Sequence, residues 1–268
     1  MKSSINSPLI PPLGDAAKGL VPFIIPFNIT VGATTISPQT RQPIGSRSFL
    51  WHAIGFRSTE QFVVSLRDTG IGENFTGEDR VNTRTISGDQ WKAFVLPRPY
   101  LFRPNAQIEI VAENLSGNSD TLRVSFIGQG VPSALLGSLP LDIQKSRFTP
   151  YFLRVFGATV NNGATGSTTP ATPTGVRPFT LTHIGFHAPT VQSLFLLRDV
   201  ASHETFMLDR VDAQSMFGED QVPYKLGVEW AISGGSALYA DVENLHASTN
   251  ERIDLTAIGY VDRSIRRF

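Results

Sequence analysis

The sequence predicts an all-β protein: two tandem β-sandwiches of jelly-roll type, related by internal duplication and preceded by an extended N-terminal arm. Three observations predict it. Short motifs recur in order at an offset of about 130 residues. Strand-length runs alternate polar with apolar residues, and helical periodicity is weak throughout.

Taken in chain order, residues 1–20 read as the arm. Pro8, Pro11 and Pro12 favour extended geometry and forbid a regular helix there. Residues 21–130 form the first sandwich, 131–148 a connector, and 149–268 the second sandwich with a short basic tail. The repeat defines these bounds. Ile54-Gly55-Phe56 returns as Ile184-Gly185-Phe186, and Leu66-Arg67-Asp68 as Leu197-Arg198-Asp199. Asp79-Arg80-Val81 returns as Asp209-Arg210-Val211, and Glu113-Asn114-Leu115 as Glu243-Asn244-Leu245. Phe94 matches Tyr224, Leu96 matches Leu226, Tyr100 matches Trp230, and Ile127-Gly128 matches Ile258-Gly259.

Within each unit the pattern is one of strands. Leu122, Val124 and Phe126 alternate with Arg123 and Ser125; Ile253, Leu255 and Ala257 do so with Asp254 and Thr256. Phe62 to Leu66 and Leu194 to Leu197 are short apolar runs. Turn chemistry separates the strands, at 116–120 and 247–250. About eight strands per unit fit a jelly roll. Short helical turns are expected only near Ala134 to Leu136 and Ala213 to Phe217. The loop 161–175 is nearly all small or turn-forming residues, so it should be mobile or packed against a neighbour.

Composition narrows the chemistry. The 268 residues include no cysteine, which removes disulfides, thiolate metal sites and a cysteine nucleophile. Equal numbers of basic and acidic residues, 23 each, leave no strong nucleic-acid signal. No run reaches the roughly 20 apolar residues of a transmembrane segment, and the N-terminus lacks the apolar stretch of a secretory signal. Charged residues are 17% of the chain, against about 25% in an average soluble domain. Much of the surface is therefore expected to be covered by partners.

The repeated acid–base pairs are the strongest candidate sites: Arg67 with Asp68, Asp79 with Arg80, Arg198 with Asp199, and Asp209 with Arg210. Two carboxylates in different environments can divide acid and base roles. Retention in both copies favours a structural role instead, with Arg80 and Arg210 satisfying carboxylates or loop carbonyls near the sheet end. His183 and His187 stand four apart in a strand, about 13 Å along it, too far to share a metal. The acidic loop at Glu73, Glu78 and Asp79 does not follow the calcium spacing of an EF-hand. No catalytic set, cofactor site or metal site is assigned. Trp51, Tyr100, Tyr224 and Trp230 read as core or inter-sheet packing. Trp91, with no aromatic counterpart, is the candidate surface contact for a ligand.

The repeated pattern, with Glu-Asn-Leu turns leading into alternating strands at 121–128 and 252–259, resembles bacteriophage virion proteins built from tandem β-sandwiches, the double-jelly-roll capsid type. That resemblance implies a non-enzymatic structural protein of the virion, capsid-forming or capsid-associated. It implies trimers or higher symmetric assemblies and contacts with other virion proteins, after assembly in the host cytoplasm. A tandem carbohydrate- or receptor-binding module, such as a head-fibre or tail-associated protein, is the alternative. A hydrolase using the acidic pairs is the third reading.

Overall fold

The computed structural model describes residues 19–41, 46–77, 79–88, 92–168, 172–173, 175, 177–190, 192–202 and 206–264. The expected arm therefore lies almost entirely outside the described residues, as do Trp91, Glu78 and residues 169–171 and 174 of the loop 161–175. In chain order the first half contains β1 (Val21–Val31), β2 (Ile36–Arg41), β3 (Ser48–Arg57), β4 (Phe62–Asp68), β5 (Glu73–Asn74), β6 (Val81–Asn82), α1 (Arg84–Ser87), β7 (Phe94–Phe102), β8 (Ile108–Asn114) and β9 (Asp120–Val131). A 3-10 turn (Ser133–Ser138) and α2 (Leu141–Gln144) connect the halves. The second half contains β10 (Phe148–Val160), β11 (Thr165–Ser167), β12 (Thr172–Pro173), β13 (Phe179–His187), β14 (Ser193–Asp199), β15 (Val211–Asp212), α3 (Ala213–Phe217), β16 (Tyr224–Ile232), β17 (Ala237–Asn244) and β18 (Glu251–Asp262).

Each half is a long antiparallel hairpin wound into two sheets. In the first, strands pair from the outside inward: β1 with β9, β2 with β8, β3 with β7 and β4 with β6. Rolling the hairpin adds the pairs β3 with β9 and β4 with β8. The sheets are thus β1-β9-β3-β7 and β2-β8-β4-β5. The second half repeats this order as β10-β18-β13-β16 and β11-β17-β14-β15. This is the jelly-roll winding. It follows from period-two patterning: β8 alternates buried with half-buried residues, so one face of each strand enters the space between the sheets.

The first core is aromatic. Trp51 lies 4.9 Å from Phe126 and 5.3 Å from Phe75, centroid to centroid, and Tyr100 lies 5.0 Å from Phe75. The second core is centred on Phe186, Phe195 and Phe217, with Phe186 stacked on Phe217 at 5.3 Å. A small third cluster, Leu50, Leu101, Val131, Leu139 and Ile143, fastens the connector to the outer side of the first sandwich. The short helices α1 and α2 are additions to the sequence-based expectation. Four-residue helices present too little of the helical repeat to be seen as periodicity.

One face departs from simple alternation. In β18 every residue from Ile253 to Val261 is buried, whereas its counterpart β9 alternates. The reason is tertiary: β6, α1 and β7 of the first sandwich pack against β10, β13 and β18 of the second. Phe152 and Ile258, although they belong to the second half, complete the core of the first.

Candidate functional site

The repeated motifs are hinges of the fold. Asn114 and Asn244 are buried at the ends of β8 and β17. Each donates through its amide to two carbonyls, Val31 and Asn118 in one half and Val160 and Thr249 in the other. Each accepts from the backbone two residues on, Ser116 or His246. The Glu-Asn-Leu motif therefore ties the turn before the last strand to the end of the first strand in each sandwich. The glutamates beside them hold the repeated arginines: Arg80 meets Glu113 at 2.7 Å, and Arg210 meets Glu243 and Asp241 at 2.8 Å each.

The aspartates of the candidate pairs do different work. Asp68 is buried, accepts from the Tyr100 hydroxyl at 3.1 Å, and caps the following turn through the Gly70 amide. Burial raises its carboxyl above the ordinary range against the lowering pull of those hydrogen bonds, and burial also raises the Tyr100 phenol. Asp199 caps the equivalent turn through the Ala201 amide and accepts from Ser202 and Ser236. Burial raises it too, but the hydrogen bonds prevail and hold it below the ordinary range. Arg67 is exposed opposite Glu109, and Arg198 lies over the Tyr239 ring at 4.1 Å. Asp79 and Asp209 are exposed, and Asp209 accepts from the Arg210 amide. In each sandwich the Arg-Asp pair sits at one end of the sheet and the Asp-Arg pair near the other, so the eight residues do not converge on one centre. Among the described residues no group of three His, Asp or Glu is placed to hold a metal ion.

The histidines lead to the junction between the sandwiches. His183 meets Phe94 edge-on at 5.1 Å, and His187 lies 3.1 Å from the Gln61 amide. Burial holds His183 down at about 4, helped by the Lys225 charge. Burial likewise holds His187 at about 3, with Arg84 adding to it. Around them, Asn82 donates to Asp254 at 2.8 Å, and Arg252 grips the same carboxylate at 3.0 and 3.1 Å. The hydroxyls of Thr85 and Thr256 are 2.7 Å apart, and the Phe152 amide donates to the Phe75 carbonyl at 2.7 Å. A Cβ built on Gly185 would overlap the Thr85 carbonyl oxygen. Asn82, Thr85, Arg252, Asp254 and Thr256 are thus hydrogen-bonded where they are buried, which limits the cost of burying them.

Three concave surfaces stand out among the described residues, the smallest, of about 320 Å³, lined by Asp79, Arg80 and Glu113 of the first sandwich with Arg154 and Arg252 of the second. A cleft of about 730 Å³ at the end of the junction is lined by Arg98, Lys145, Arg147, Arg263, Phe148 and Asp142, among others. Its arginines face carboxylates: Arg147 with Asp262 at 2.7 Å, Arg263 with Glu73 at 3.2 Å, and Arg98 with Glu229 at 3.5 Å. The hydrogen bonds from Arg147 hold Asp262 at about 2. The second is an apolar pocket of about 510 Å³ on the second sandwich, with Phe206, Met207, Met216, Tyr224, Leu226 and Trp230 in its wall. Around it Val228 is 77% exposed and Leu208 fully exposed. Tyr224 and Trp230 were expected inside a core. They stand half-exposed here because, among the described residues, nothing covers the outer edge of β16 as the second sandwich covers β7.

No family model matches the chain, and no curated protein sequence matches it. Among solved structures it is similar to PNGase F, a glycosylasparaginase from Flavobacterium meningosepticum, with TM-score 0.36 and 9% identity, over 90% of this chain and 97% of that one. It is similar to YhaK from Escherichia coli with TM-score 0.20 and 12% identity, over 91% and 96%. A tandem CBM22 domain of Paenibacillus barcinonensis Xyn10C gives TM-score 0.17 and 10% identity, over 91% of both chains. Scores this low leave function to the chain's own geometry.

Proposed function

We propose that this chain is a non-enzymatic structural protein of a virion, capsid-forming or capsid-associated. It assembles with copies of itself into trimers or higher symmetric oligomers. The observation that carries the reading is the apolar face of the second sandwich around Val228, Leu208 and the 510 Å³ pocket. A contiguous exposed apolar patch marks a protein-contact surface. Two further features support it. The buried junction makes the two sandwiches one block, suited to tiling, and the repeated strand order fits an origin by duplication. The repeated charged pairs serve sheet ends, which fits a scaffold better than a hydrolase.

Mass photometry of the purified chain and mass spectrometry of purified virions test the reading. A defined oligomer that is also present in particles is expected. A chain that stays monomeric at high concentration and is absent from virions would overturn it. A second reading, a carbohydrate- or receptor-binding module, is favoured by the half-exposed Phe206, Tyr224 and Trp230, since aromatic faces can stack on sugars. It predicts glycan-array binding that Trp230→Ala abolishes; an array without binding removes it.

A further inference from the structure

The junction inside the chain specifies its own repetition. Strand register matches the halves around the junction: Ile54 pairs with Phe94 as Ile184 pairs with Tyr224, and Ile24 pairs with Ile127 as Phe152 pairs with Ile258. In the first sandwich the edge formed by β6, α1 and β7 is plugged by the second sandwich's sheet, and Phe75, Val81, Ile86 and Tyr100 are fully buried. Their counterparts on the second sandwich, Phe206, Val211, Met216 and Trp230, are only half-buried and line the open pocket. Phe94 is 8% exposed; its counterpart Tyr224 is 42% exposed. On the plugging side, Phe152 is fully buried and its counterpart Ile24 is 56% exposed. Among the described residues, one socket is filled and one is empty, and one plug is used and one is free.

We propose that the empty socket, formed by β15, α3 and β16, takes the outer face of β1, β9 and β3 from a second copy of this chain, in the geometry of the internal junction. This rests on the proposed self-assembly and names the surfaces that carry it. The polar contacts transfer in kind. The Thr85–Thr256 hydroxyl pair becomes Ser215 with Ser125, and Asn82 with Asp254 becomes Asp212 with the exposed Arg123, an opposite-charge pair. The Phe152 amide on the Phe75 carbonyl becomes the Ile24 amide on the Phe206 carbonyl.

Gly55 supplies an independent observation. Its counterpart Gly185 is a glycine because the Thr85 carbonyl occupies the place of a Cβ. Among the described residues Gly55 has no such reason: a Cβ there would meet Ala93 at an ordinary 3.8 Å. Docking brings the Ser215 carbonyl of the neighbour to that place. The contact is heterologous, plug to socket, so each chain joins two neighbours and the array closes into a ring or extends as a filament.

The absence of cysteine makes the test clean. Ser125→Cys with Ser215→Cys, oxidised, should yield species of two or more copies on denaturing gels. The control pair Thr85→Cys with Thr256→Cys should close within one chain. Ile24→Asp should weaken self-association by about 10- to 100-fold. Gly55→Val should abolish it while the circular dichroism and melting of the chain are kept. A Ser125/Ser215 variant that stays monomeric while the control closes, or Gly55→Val assembling normally, overturns the proposal. An oligomer that persists by other surfaces leaves the virion reading standing, whereas a cross-linked oligomer absent from virions overturns the reading and keeps this contact.

Discussion

Replacing Phe152 with alanine removes a side chain that the second half of the chain buries in the core of the first. The ring meets Phe94 edge-on at 6.2 Å, and its amide anchors the Phe75 carbonyl. A fully buried phenylalanine lost to alanine costs about 3–5 kcal/mol, combining lost transfer energy with the cavity left behind. With a guanidinium m-value of about 5 kcal/mol per molar, the midpoint should fall by about 0.6–1 M. Location is the discriminating point. Trp51 is buried in the first core beside Phe75, so in a Trp91→Phe/Trp230→Phe background its emission reports on the first sandwich. The Phe152→Ala transition followed by Trp51 should shift together with the far-ultraviolet circular dichroism. If the Trp51 midpoint stays put while only the second half loses structure, the sandwiches do not share a core.

Other expectations concern pH and the repeated motifs. His183 and His187 are neutral when folded because burial holds them at about 4 and about 3, below the ordinary 6.5. The unfolded chain then binds more protons. Their contribution is fully present above about pH 6.5 and is lost as pH falls from there toward the folded values, by an order of a few kcal/mol. Denaturant midpoints from pH 7 to 4 should show this slope, and His183→Gln with His187→Gln should flatten it. Asn114→Ala and Asn244→Ala should each cost about 1–3 kcal/mol, because buried carbonyls lose their donor; equal loss in thermal melts of both variants is expected. Arg80→Ala and Arg210→Ala should each cost less than about 1 kcal/mol in the same melts, since these ion pairs are partly solvated. Asp79→Asn should leave both fold and melting unchanged, since Asp79 is exposed.

Much of the architecture was legible because jelly-roll strands are written locally. The alternation at Leu122, Val124 and Phe126 is the β9 face that enters the first core, and the turn 116–120 sits where the β8–β9 hairpin closes. The repeat of Glu113-Asn114-Leu115 as Glu243-Asn244-Leu245 marked a paired structural element before its hydrogen bonds were seen. α1 and α2 were not legible, being shorter than the helical signal requires.

The function-bearing surfaces were legible only in part. Tyr224 and Trp230 could be matched to Phe94 and Tyr100 from sequence, yet the same match hid their difference, because aromatic residues read as core whether or not anything covers them. Phe152, Thr256 and Gly185 likewise carried no local mark of a junction. The sequence alone determined the all-β class, the period-two faces of the strands and the recurring motifs, since these are properties of neighbours along the chain; strand order was decided by pairing in the folded structure. Which copy of each surface is buried was decided by tertiary structure. One sandwich plugs the other along a single edge, which leaves the first plug and the second socket facing outward.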